Sequence, residues 1–180
     1  MRLSVRQIGA IIFAVLIAIA IAHYDDFLPY RWQSYSAPDG SFSAEFPSAP
    51  EAKDQQVELA TGGTVLTHQI SAAPAKTTSY EITYFEDPRL ANESAEEELN
   101  SARDGSISRM QGNLLGEQRL EVQGHPARDL EVHARGNSTV SMRIIAVRGR
   151  LFMLMVVDTA RQNADSKNVR KFVDSFKLSG

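Results

Sequence analysis

Seven consecutive residues, Leu151-Phe152-Met153-Leu154-Met155-Val156-Val157, are all apolar. A strand with one wet face alternates apolar and polar side chains, so a run without alternation predicts a central strand covered on both sides. It follows Arg148-Gly149-Arg150, a tight hairpin connection from the strand Val140 to Val147. A chain built around such a strand needs a sheet and something to cover each of its faces.

The other strand signals supply the sheet. Phe42, Ala44 and Phe46 alternate with Ser43 and Glu45 after the turn Pro38-Asp39-Gly40 and stop at Pro47. Gln55 to Leu59 pairs with Thr64 to Ile70 across Gly62-Gly63. Tyr80, Ile82 and Tyr84 share one face of a strand that ends at Asp87-Pro88. Leu120 and Val122 lead into Gly124, and Arg128 to Ala134 turns Leu130 and Val132 inward. Two helices are available as covers. Ser94 and Glu97 form a capping box opening a helix through Leu99, Ala102 and Met110 that ends near Gly112. Gly105 inside it weakens it by about 1 kcal/mol relative to Ala, which predicts a close backbone contact there. Val169, Phe172, Val173 and Phe176 form the stripe of a last helix, with Phe172 and Phe176 expected near Leu154 and Val156. The fold class is α+β, an antiparallel sheet with helices packed on its faces.

A different kind of segment precedes this domain. Arg2 and Arg6 precede an apolar run from Ile8 to Ala22, and Asp25 and Asp26 follow. As a helix, residues 7–24 span roughly 27 Å, close to the hydrocarbon thickness of a bilayer. The charge order predicts residues 1–6 as a cytoplasmic tip, residues 7–24 as a transmembrane signal anchor, 25–31 as a connector and 32–180 as an extracytoplasmic domain. Tyr24, Phe27, Tyr30 and Trp32 suit the outer interface. Ala10, Ala14, Ala18 and Ala22 form a small-residue stripe on which another helix can pack. Ala20-Ile21-Ala22 also matches an A-x-A cleavage site, so a signal peptide cleaved after Ala22 is the competing reading. Both readings put the domain outside the cytoplasm.

Motifs for chemistry are scarce. The 180 residues contain no cysteine, which removes disulfides, thiolate catalysis and zinc fingers. A net charge of -3 argues against nucleic acid as a partner. Of the four histidines, His23 belongs to the anchor boundary and His68 shares a strand face with Leu66, a structural position. His125 and His133 attract more interest, because Asp129, Glu131 and His133 project from one strand face, with donor types suited to a divalent metal. The same alternation is what the wet face of an antiparallel strand requires. No G-x-S-x-G elbow occurs; the sequons Asn92-Glu93-Ser94 and Asn137-Ser138-Thr139 would be chance matches in a bacterial chain, and the turn chemistry of Gly136-Asn137 accounts for the second. No catalytic, cofactor-binding or metal-ligating residue is therefore assigned, and a non-enzyme is expected.

Five stretches taken together resemble a known family: Pro38 to Pro47, Tyr80 to Tyr84, Gly124 to Leu130, Arg148 to Phe152, and Phe172-Val173-Asp174-Ser175-Phe176. Their order is similar to that of small bacterial envelope domains of the PsbP-like type, over about residues 33 to 178. The resemblance implies an antiparallel sheet between helices and an accessory or binding role. It carries over no functional residue. The leading expectation is a single-pass bacterial inner-membrane protein with its N-terminus cytoplasmic and its domain periplasmic or extracellular. It would bind the bilayer through residues 7–24 and stabilise or help assemble a larger membrane protein complex. The alternatives are a periplasmic carrier of a small apolar ligand, or a metal-dependent enzyme using the His125–His133 strand.

Overall fold

The computed structural model describes residues 30–58, 64–88, 94–159 and 165–179. The expected spanning helix over 7–24, the tip 1–6, most of the connector 25–31, the Gly62-Gly63 turn and Asn92-Glu93 lie outside the described residues. Among the described residues no helix is long and apolar enough to cross a membrane. All elements below belong to the unit Arg31–Gly180.

The apolar run lies in strand β9 (Arg150–Asp158), hydrogen-bonded on one side to β5 (Thr78–Glu86) and on the other to β8 (Ser138–Val147). Its side chains divide between two cores. Phe152, Leu154 and Val156 are buried on one face, and Leu151, Met153, Met155 and Val157 join the core on the other. The sheet extends through β4 (Thr64–Ala75) to the edge β3 (Glu51–Glu58), and through β7 (His125–Ala134) to the edge β6 (Asn113–Val122). Its order is β3-β4-β5-β9-β8-β7-β6, and every neighbouring pair is antiparallel. Arg148-Gly149 is the two-residue turn between β8 and β9. Gly149 takes φ +81° there, a conformation that hairpin turns require and that side chains with a Cβ resist.

Helix α1 (Ala95–Met110) covers the first face. Its capping box is complete: Glu97 N–H donates to Ser94 Oγ at 3.2 Å, and Ser94 N–H donates to Glu97 Oε2 at 3.1 Å. Leu99 is buried against a core that includes Leu130, Val132, Val140 and Ile144. The close contact expected at Gly105 is absent, since a Cβ there would meet nothing within 4 Å. The crowded glycine is Gly112, where a Cβ would lie 2.7 Å from Val132 Cγ1 and 2.9 Å from the His133 carbonyl oxygen. Gln111 therefore takes the left-handed cap position, φ 48°, and the glycine stands one residue later, where the chain grazes β7.

A buried guanidinium joins α1 to the sheet edge. Arg128, with no exposed side-chain surface, donates from Nη1 to Glu117 Oε1 at 2.6 Å and from Nη2 to Glu96 Oε2 at 2.7 Å. Arg103 on α1 reaches the same Glu117 at 3.1 Å. These charge-assisted bonds compensate for an α1 with a single fully buried apolar side chain, Leu99.

Helix α2 (Ser166–Ser175) and a small sheet, β1 (Gln33–Ser36), β2 (Phe42–Phe46) and β10 (Lys177–Leu178) in the order β1-β2-β10, cover the second face. Asp165 caps α2 by accepting from Lys167 N–H. The helix stops at Ser175, so Phe176 is not part of it as the stripe predicted. Phe176 is extended, feeds β10 and is still buried. Phe172 packs edge-on against Tyr80 and Phe46, while Phe176 meets Phe152 and stacks on Phe42. Tyr80 is the register partner of Val156, and Phe152 stands one same-face position from Leu154. Arg143 fixes α2 from below, donating from Nε and Nη2 to both oxygens of Asp129, 2.7 and 2.8 Å, and from Nη1 to Asp174.

Candidate functional site

The second face of the sheet is not covered to its end. Beyond Phe42, a cleft of about 550 Å³ opens between the β1–β2 turn and strands β3, β4 and β5. Register builds its floor. Asp54 on β3 pairs with His68 on β4, His68 with Tyr84 on β5, and Tyr84 with Phe152 on β9, a single row across four strands. Directly opposed residues on neighbouring strands share a face, so the row forms a continuous ladder of side chains. His68 and Tyr84 stack with centroids 4.7 Å apart and planes at 24°, and Tyr84 and Phe152 at 5.5 Å and 23°.

Polar groups converge on this ladder. His68 Nδ1 lies 2.8 Å from Asp54 Oδ1. An ionised carboxylate only accepts, so Nδ1 carries the proton, and in the neutral ring Nε2 is left as an acceptor. Arg150, at the start of β9, holds its guanidinium 5.8 Å above the Tyr84 and Phe152 rings. It pairs with Glu86 and lies 3.6 Å from Asp39. Asp39 accepts from Ser41 Oγ at 2.7 Å and from Ser41 N–H at 3.0 Å. These hydrogen bonds, with help from Arg150, hold the Asp39 carboxyl below the usual carboxylate range. Burial, and then the charges of Asp39 and Asp54, push the Tyr35 hydroxyl up. Burial and Asp39 do the same to Tyr84, so both phenols stay protonated.

A second cleft of about 520 Å³ lies on the other side of Arg150 and Glu86. His125 is here, at the start of β7, with Gln123 and Leu178. Gln123 ties the β6–β7 turn to β10, accepting from Leu178 N–H at 2.7 Å and donating to its carbonyl at 3.1 Å. His133 stands at the opposite end of β7, roughly 26 Å away at 3.3 Å per residue. Asp129 and Glu131 share the His133 face as expected, but Asp129 is engaged by Arg143, and Glu131 accepts from Ser141 Oγ at 3.4 Å. Among the described residues no three metal-type side chains converge. The structure thus separates the two histidines that drew attention in the sequence. It puts the one read as structural, His68, at the centre of the cleft. Both clefts are open and carry charged rims, unlike an enclosed apolar pocket of the carrier type.

No protein-family model matches the chain, and no curated protein does. Solved structures do match. The solution structure of cyanobacterial PsbP from Synechocystis sp. PCC 6803 superposes with a TM-score of 0.51 at 14% identity, over 84% of this chain and 94% of that one. A protein of unknown function from Pseudomonas aeruginosa gives 0.39 at 12% identity, over 72% of this chain and 84% of that one. One from Bacteroides thetaiotaomicron VPI-5482 gives 0.41 at 11% identity, over 82% and 48%. The fold is PsbP-like, as the sequence stretches implied.

Proposed function

We propose that this chain is a membrane-anchored extracytoplasmic accessory module, held to a bacterial inner membrane by residues 7–24, that stabilises or helps assemble a larger membrane protein complex. The observation that carries the binding part is the open cleft in which the half-buried His68 lies stacked on the buried Tyr84, rimmed by Asp39, Asp54, Glu86 and Arg150 and retaining unspent hydrogen-bonding capacity. Aromatic side chains ringed by polar groups are the composition of protein-binding surfaces. The PsbP-like fold supports an accessory role by analogy of architecture. The sequence supports the anchor: a short connector between membrane and domain raises the domain's effective concentration near membrane partners. Binding requires no catalytic group, and none is assigned.

Purification of the tagged full chain from mild non-ionic detergent tests the proposal. A reproducible membrane protein companion, together with a mature N-terminus at or near Met1, is the expected result. A chain that purifies alone overturns the partner, and a mature terminus at His23 overturns the anchor.

A further inference from the structure

We infer that the cleft over His68 and Tyr84 receives a lysine or arginine side chain of the partner protein. This rests on the partner-binding reading above and names its chemistry.

Charge balance is the first reason. Asp39, Asp54 and Glu86 line the cleft, and Arg150 is the one arginine or lysine among its lining residues. Three carboxylates against one guanidinium leave the cleft negative while His68 is neutral. An anion is repelled here, and a neutral apolar guest would strip water from carboxylates without replacing its hydrogen bonds. Donor and acceptor balance is the second reason. The carboxylates and His68 Nε2 accept, and the His68 Nδ1–H is already donated to Asp54, so the unfilled positions call for a guest rich in N–H donors. Leu66, half exposed in the cleft lining next to His68 on the same face of β4, offers an apolar surface for the methylene stem that a lysine or arginine carries. A bare divalent cation has no use for that apolar surface, and no three ligand-type groups converge to hold one among the described residues.

The test uses the full ¹⁵N-labelled chain in mild detergent and four probes: the N-acetyl amides of arginine, lysine, citrulline and glutamate. Citrulline keeps the shape of arginine and lacks its charge. The arginine and lysine probes are expected to shift the amide signals of Leu66, His68 and Tyr84, with citrulline binding at least about fivefold more weakly and glutamate not at all. Asp39 and Asp54 have side chains 47% and 64% exposed, so Asp39→Asn with Asp54→Asn should keep the native fold, with the unfolding temperature lowered only by the small contribution of the ionised Asp39. The double variant is expected to weaken the arginine probe about fivefold and to release the detergent companion. Equal binding of arginine and citrulline, or no shift at these residues, overturns the cationic guest. If the double variant still releases the companion in that case, the partner reading stands without it. Probe binding with the companion fully retained by the double variant shows a site for free cations, and overturns a partner side chain as the occupant. Absence of any companion from the unaltered chain overturns the partner reading itself.

Discussion

His68 lies flat against Tyr84, ring centroids 4.7 Å apart, while Asp54 holds its Nδ1 at 2.8 Å from the other side. The three residues belong to three strands and meet because their registers coincide. Side chains alternate faces along a strand, so a slip of one residue in β4 would send His68 to the α1 face and dissolve the cleft floor. The site is therefore a property of the sheet rather than of any loop.

Two glycines of similar sequence context should respond in opposite directions. Gly105→Ala is expected to stabilise the domain by about 1 kcal/mol, because it sits inside α1 with open space around it. Gly112→Ala is expected to destabilise it, because the methyl group would press on Val132 and the His133 carbonyl. Urea denaturation of the two variants checks the pair, and destabilisation by Gly105→Ala would mean that α1 is not helical there.

Arg128 gives a second contrast. Glu117, 22% exposed, and Glu96, 53% exposed, bind the same buried guanidinium. Glu117→Ala leaves a buried charge half compensated and is expected to cost about 3 kcal/mol. Glu96→Ala removes a solvated partner near the start of α1 and should cost about 1 kcal/mol. Equal losses would show that water reaches Arg128.

Phe172 and Phe176 join α2 and the small sheet to the large sheet's second face. Each is buried among aromatic rings, and truncation of either to alanine is expected to cost about 3–5 kcal/mol. A loss below about 1 kcal/mol in equilibrium unfolding would mean that this layer can detach without disturbing the sheet.

Much of this architecture was legible in the sequence because it rests on local signals. The unbroken run at Leu151–Val157 marks a doubly covered strand, Ser94 and Glu97 mark the start of α1, and Arg148-Gly149 marks a hairpin. Strands without alternation escaped. β1 and β10 are short, and β3 is an exposed, mostly polar edge whose first residues, Glu51 to Asp54, show no apolar period. That omission hid the site. Pairing Gln55–Leu59 with Thr64–Ile70 names the two strands that do pair, Gln55–Glu58 lying opposite Thr64–Thr67, and continuing the ladder to Asp54 places that carboxylate opposite His68. The next link, His68 to Tyr84, depends on a register that no local motif specifies.

Asp39 makes the cleft sensitive to acid. Its folded pKa is depressed by Ser41, so its contribution to stability is complete above the unfolded value of about 3.9 and is lost as pH falls through the lower folded value. Carbon-detected titration should give an Asp39 midpoint below that of an unstructured aspartate, and Ser41→Ala should raise it. An unchanged midpoint in Ser41→Ala would assign the depression to the Ser41 backbone N–H and Arg150 instead.

A photoreactive side chain placed at Leu66, 50% exposed in the cleft lining, tests partner binding most directly. The full chain would be irradiated in intact cells, with the same group at Leu115, 64% exposed on the β6 edge, as the reference. The expected result is an adduct from Leu66 to one membrane protein, at a peptide carrying lysine or arginine beside the crosslink, and none from Leu115. An adduct from Leu115 alone, or none from either position, would contradict the cleft as the partner's seat.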